Sequence, residues 1–152
     1  MSLLASGGVK IRVSSVLNRN VRQFGKQHLT DNDEETCWNS DQGSPQVIMV
    51  EFPNEVLISE LVLKFQGGFV GKDCLLLGQQ QTTNDDTIEW KEIMEFFPKD
   101  ISSEQIFNCK ESGNQLEPVK KLKIVFQSSF DFFGRVTIYK LDIIGSYVVV
   151  DR

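Results

Sequence analysis

The chain has 152 residues, 40% of them hydrophobic and 24% charged, with 16 Lys and Arg against 21 Asp and Glu for a formal net charge of −5. That length suits one domain with its own core, residues 1–152, in which 1–8 is expected to be a loosely ordered leading segment. The composition is that of a globular protein, no apolar run reaches the ~20 residues a membrane helix needs, and the acidic balance excludes a general electrostatic attraction to nucleic acid.

In chain order, the first strand is expected over 9–14, where Val9, Ile11 and Val13 alternate with polar residues. Alternation of this kind marks a strand with one buried face. A polar loop follows from Asn18 to Phe24, rich in Arg and amide groups, and then the stretch from Leu29 to Gly43, which places Asp31, Asp33, Glu34, Glu35 and Asp41 around Cys37 and Trp38. Strand alternation resumes at Ile48, Val50 and Phe52, breaks at a turn expected at Pro53–Asn54, and returns at Leu61, Leu63 and Phe65. The loop Gln66–Phe69 contains two glycines. Strands are predicted over Cys74–Leu77, Thr87–Phe96 and Gln105–Cys109, with the polar run Gln79–Asp86 as a mobile loop between the first two. A turn at Ser112–Asn114 leads to the alternating set Leu122, Ile124 and Phe126. The aromatic loop Ser129–Arg135 follows, then the set Tyr139, Leu141 and Ile143, and a final strand over Ser146–Val150. No window carries a sustained helical stripe, so the crossovers of a parallel sheet are missing. About eight antiparallel strands predict an all-β, two-sheet antiparallel jelly-roll sandwich.

Three cysteines, Cys37, Cys74 and Cys109, form no CxxC pair. They make neither a disulfide framework nor a zinc site and fit a reducing compartment, so nucleus or cytoplasm is expected. His28 is the only histidine, which leaves little material for a catalytic triad, and nothing places two carboxylates across a cleft for glycoside hydrolysis. The chain is expected not to be an enzyme.

The pattern Leu29, Asp31, Asp33, Thr36, Trp38, Ser40 and Asp41, followed by a strand from Gln46, resembles the first signature of the galactose-binding-like, discoidin-type β-sandwich family. Phe133 to Tyr139, continuing through Leu141 and Ile143 to Gly145, resembles its closing strand. The resemblance implies a galactose-binding-like fold whose end loops form a ligand site. It also implies a calcium corner completed by an acid of the closing strand. In the register set by Gly145 that acid falls on Lys140, and two residues on it falls on Asp142, so calcium ligation by Asp31, Asp33, Thr36 and Asp142 stands beside a reading without metal. In the second reading Asp31 caps a helical turn with Glu34 three residues on, and Trp38 is a structural anchor. No cofactor is then needed.

The stretches Val13–Lys26, Glu34–Gly43, Phe65–Phe69 and Asp131–Tyr139 are similar to a branch of that family whose members partner an orphan nuclear receptor. The similarity implies a nuclear, non-catalytic protein that binds such a receptor and represses its transcriptional activity. The chain contains no LxxLL, so a receptor would be met by a folded surface. Candidate binding residues on the loops are Arg19, Asn20, Arg22, Gln66, Phe69, Phe132 and Arg135, since Arg and aromatic groups supply contact area with directional bonds. Two alternatives stay open at this point: phenylalanines that plug the end of the sandwich, and a carbohydrate or other small ligand bound by the same loops.

Overall fold

The computed structural model describes residues 1–79 and 89–149. Among the described residues eight strands follow one another: β1 (Lys10–Val13), β2 (Trp38–Asn39), β3 (Gln46–Phe65), β4 (Cys74–Gln79), β5 (Lys91–Phe96), β6 (Glu104–Asn108), β7 (Val119–Phe126) and β8 (Thr137–Tyr147). One short helix, α1 (Val21–Phe24), lies between 3-10 turns at Leu17–Arg19 and Lys26–Leu29, and a further 3-10 turn spans Cys109–Ser112. Every ladder between named strands is antiparallel.

The architecture turns on β3. Its first part, Gln46 to Glu51, pairs with β7 on one side and β1 on the other. Its second part, Val56 to Phe65, lies between β8 and β6. Twenty residues of straight strand would span roughly 65 Å. Yet the ring of Phe65, at the end of β3, sits 5.9 Å from that of Phe126, the ladder partner of Gln46 at its start. The strand must therefore fold over on itself. It does so between Glu51 and Val56, where β3 advances five residues while β7 advances two, from Lys121 to Val119. Pro53 stands in that bulge, where its missing N–H costs no ladder bond. The turn expected at Pro53–Asn54 is thus a bend inside one continuous strand, and the single hydrogen-bonded sheet becomes the two layers of a sandwich, β1-β3-β7-β4-β5 and β6-β3-β8-β2.

The alternating sets point into the space between these layers. Ile48, Val50, Phe52, Leu61, Leu63, Phe65, Leu122, Ile124 and Phe126 are all buried in one hydrophobic cluster. Tyr139, expected in the same row as Leu141 and Ile143, is only half-buried, and Ile138 is buried instead. A bulge opposite Lys64 and Phe65, where the β8 partner jumps from Lys140 to Ile138, reverses the side-chain parity there. The final strand expected at Ser146–Val150 is the continuation of β8, which ends at Tyr147. Most of the polar run Gln79–Asp86 lies outside the described residues, as do Thr87, Ile88 and Val150.

The leading segment 1–8 is tied down rather than loose. Leu3 is fully buried, its amide donates to the Ile143 carbonyl at 2.9 Å, and the Gly145 amide donates to the Met1 carbonyl at 3.1 Å. It runs along β8, so one apolar side chain and a few main-chain bonds suffice to order it.

Candidate functional site

Three loops meet at one end of the sandwich: 66–71 after β3, 97–103 after β5, and 127–136 between β7 and β8. The first is braced by the second. Gly67 donates its amide to the Ser102 hydroxyl at 2.9 Å, and Gly68 donates its amide to Asp100 at 2.7 Å. The third is organised by Asp131, whose carboxylate accepts from the amides of Phe133 and Arg135 and from both the Nε and an Nη of the Arg135 guanidinium, at 2.9 to 3.2 Å. That guanidinium, through its side-chain hydrogen bonds above all, holds the Asp131 carboxyl below the usual carboxylate range. Gly134 has φ 82°, and a side chain there would come within 2.9 Å of the Gly43 backbone, so glycine is required at the crossing.

The result is a fixed aromatic and cationic tip. The Arg135 guanidinium lies 5.2 Å from the Phe69 ring and 5.6 Å from the Phe133 ring. Phe132 meets Phe133 edge to face at 5.3 Å and is itself 94% exposed, with Phe133 at 52%. Gln66 accepts from the Tyr139 hydroxyl at 3.2 Å, and the Lys72 ammonium lies 5.7 Å from the Phe130 ring. Gln66, Phe69, Phe132 and Arg135 are therefore brought together. Val136, where β8 is about to begin, is the plug of this end; Phe132 is not.

Arg19, Asn20 and Arg22 sit on a different segment. Asn20 caps α1, accepting the Gln23 amide at 3.2 Å, while Arg19 and Arg22 are exposed. Among the described residues no hydrogen bond, ion pair or ring contact joins their side chains to the tip. Asp131, which sets the tip's geometry, was not a candidate from sequence. The signal was its spacing of four from Arg135, with Gly134 between.

The acidic corner is a chain of turns. Asp31 accepts the Asp33 amide at 3.0 Å, and Asp33 accepts the Glu35 amide at 2.9 Å. These side chains mimic backbone turns, so the helical turn with Asp31 as cap and Glu34 as its partner does not form. The second Asp31 oxygen accepts from the Thr36 hydroxyl and faces His28 Nδ1 at 2.9 Å, while His28 Nε2 faces the Arg22 carbonyl at 3.0 Å. Both ring nitrogens thus meet acceptors. The Arg22 carbonyl foremost, then Asp31, raise the His28 pKa above its ordinary 6.5. Partial burial pushes the Asp31 carboxyl up, but the bonds from Thr36 and His28 outweigh it and hold that group low.

A sign follows for stability. A raised His28 pKa contributes stability that is full below pH 6.5 and is lost as pH rises through the folded value; the Asp31 share is present near neutrality and lost in acid. Melting curves should therefore show a decline across the window above pH 6.5 that His28→Gln abolishes. An unchanged pH profile in that variant would remove the clamp.

Some of the oxygens that calcium at this corner would use are engaged by the protein's own groups. Both oxygens of Asp31 and one of Asp33 are engaged within the corner, and one oxygen of Asp142 accepts from the Ser2 hydroxyl at 2.6 Å and the Ile143 amide at 2.9 Å. Lys64 and Lys140, ladder partners on β3 and β8, line the cleft beside Asp33 and Glu34, and Lys140 lies 3.3 Å from Glu104. Two lysines thus share that cleft with two of the corner's acids. Among the described residues no group of three or more His, Cys, Asp or Glu is placed to hold a metal. Trp38 is fully buried, and its Nε1 donates to the Ser15 carbonyl at 2.9 Å. Burial also raises all three thiols, that of Cys109 to about 11.

Nuclear receptor 2C2-associated protein of Xenopus laevis is 50% identical over 144 residues, covering 95% of this chain and 98% of the relative. The protein of the same name from Danio rerio is 49% identical over 142 residues, covering 93% and 94%. The chain belongs to the nuclear receptor 2C2-associated protein family. The human member is 47% identical over 137 residues, covering 90% of the chain and 91% of the relative. No protein-family model matches. Among solved structures, the C-terminal domain of a chitobiase from Bacteroides fragilis superposes with a TM-score of 0.75 at 19% identity, covering 98% of this chain and all of that one. A family 32 carbohydrate-binding module of Clostridium perfringens, in complex with GalNAc-β-1,3-galactose, gives 0.72 at 16%, covering 95% and 99%. An F5/8 type C domain from Bacteroides fragilis gives 0.74 at 10%, covering 93% of each. At such identities the likeness shows the fold: this chain has the galactose-binding-like β-sandwich of those domains. Among the described residues no helix is long and apolar enough to cross a membrane.

Proposed function

We propose that this chain is a non-catalytic interaction module that binds an orphan nuclear receptor through the tip formed by Phe69, Phe132 and Arg135, and represses that receptor's transcriptional activity in the nucleus or cytoplasm. The carrying observation is Phe132, a large apolar side chain held 94% exposed on a loop whose backbone is fixed by Asp131. Exposing such a group on a rigid loop serves no core, whereas aromatic and Arg anchors dominate protein interfaces. The names of the family members, which record association with nuclear receptor 2C2, support the choice of partner. The absence of catalysis is supported by the thiols, all raised by burial, and by the engagement of the only histidine with Asp31 and Arg22. The test is calorimetric titration with nuclear receptor 2C2, together with a reporter assay in which added chain lowers receptor-driven transcription. Lack of binding refutes the partner; binding without lowered output refutes repression alone.

A second reading, a carbohydrate or small-ligand module using the same end loops, is favoured by the sugar complex of the Clostridium perfringens neighbour. A glycan array separates the two, because a sugar module retains a glycan that the tip variants lose.

The metal-free reading of the corner is likewise a proposal, supported by the two lysines in its cleft and by the turns that use its oxygens. Thermal melts in calcium and in chelator should coincide. A chelator-induced fall in Tm would reinstate the cation.

A further inference from the structure

At the side of the sandwich, β5 pairs with β4 and β6 pairs with β3, and among the described residues neither strand pairs with the other. Between these two free edges runs a cleft of about 260 Å³. Its floor is made by Phe96 of β5 and Phe107 of β6, whose rings meet 4.8 Å apart. On its rim Phe97 and Ile106 are 62% and 61% exposed. Among the described residues the only charged ones lining it are Glu95 and Glu111, and neither stands in a salt bridge with another of them.

Both ends of the cleft are fixed. Gln105 accepts the Lys99 amide at 2.8 Å and donates to the Lys99 carbonyl at 2.9 Å, holding the connection from β5 to β6. After the 3-10 turn Cys109–Ser112, the Asn114 side chain donates to the Ile93 carbonyl of β5 at 3.1 Å. A preformed concavity with an aromatic floor, an apolar rim and carboxylates of one sign is a recognition surface whose charge selects its occupant.

We propose that this cleft docks a short segment of a partner protein that carries a large apolar side chain flanked by Lys or Arg. The apolar side chain covers the Phe96–Phe107 floor between Phe97 and Ile106, and the flanking cations meet Glu95 and Glu111, which a neutral or acidic segment would leave desolvated without a counter-charge. The cleft shares no residue with the Arg135 tip, so the proposal stands whether or not the tip binds a receptor.

The test is an NMR titration of the labelled full chain with the capped peptide Lys-Leu-Lys-Leu-Lys, with Lys-Ser-Lys-Ser-Lys and Glu-Leu-Glu-Leu-Glu as controls. Shifts should be confined to β5, β6 and the Cys109–Ser112 turn, with binding of both controls weaker by about 10-fold or more. Ile106→Glu, at an exposed site that leaves the fold intact by Tm, should weaken the Lys-Leu probe by about 10-fold. The double variant Glu95→Lys, Glu111→Lys should transfer preference to the Glu-Leu peptide. Shifts on another face, equal binding of the Ser probe, or an unchanged preference in the double variant would each overturn the proposal. Self-association through the cleft, abolished by Ile106→Glu without affinity for the probe, would also overturn it by assigning the surface to a second copy.

Discussion

Trp38→Ala should cost about 3–5 kcal/mol, a large share of the whole stability of a domain of this size. The indole is fully buried between layers, with its ring 6.4 Å from Phe126, which in turn meets Phe65 edge to face. Truncation therefore opens a cavity at the point where the ends of β3 are brought together. It also strands the Ser15 carbonyl that Nε1 now satisfies, in the segment that crosses to the corner through the Ser15 bonds to Gln46 and Asp41. Urea unfolding followed by far-ultraviolet circular dichroism reads the change. Trp38→Phe separates the two causes: it keeps most of the apolar volume and loses the N–H donor, so it should cost about 1–3 kcal/mol. A Trp38→Ala protein that unfolds at the wild-type urea concentration would show that the indole carries no such share.

How much of this was legible follows from the physical origin of each signal. Ile48, Val50 and Phe52, or Leu122, Ile124 and Phe126, announce themselves because burial on one face of a strand acts with a period of two. What sequence concealed are the departures from that period. The fold of β3 at Phe52 to Glu55 reads as a turn, because Pro53 and Asn54 are turn residues whether the chain reverses or bends. The bulge near Ile138 moves Tyr139 out of the core without leaving any compositional mark. The two-residue β2 is too short for periodicity, though Trp38 within it was legible as an anchor. The site divides in the same way. Phe132 and Arg135 stood out because they break the strand pattern, whereas the separation of Arg19 and Arg22 from them depends on the path of the chain in three dimensions. The acids of the corner were visible as a cluster, but composition cannot tell a cluster that holds a cation from one that folds its own turns. In the structure one oxygen of Asp31 and one of Asp33 point at the amides of Asp33 and Glu35, a direction that composition does not carry.

The tip makes the sharper functional prediction. Phe132→Ala combined with Arg135→Ala should weaken association with nuclear receptor 2C2 by about 10-fold or more, since Arg and aromatic anchors often exceed 1 kcal/mol each at an interface. Stability should change little. Phe132 is almost wholly in solvent, and without the guanidinium Asp131 still accepts the amides of Phe133 and Arg135, so the loop keeps its turn. The Arg135–Asp131 pair is at the surface, where such pairs contribute modestly. Arg135→Lys offers an internal comparison: it keeps the charge but loses the planar fork that binds Asp131 through two nitrogens and lies over Phe69 and Phe133, so it should fall between wild type and the double variant. Association measured by calorimetry, beside a Tm for each variant, decides the matter. A double variant that stays folded and binds the receptor at wild-type affinity would move the interface off the tip. Loss of a glycan signal in that variant, with receptor binding unchanged, would instead assign the tip to a sugar.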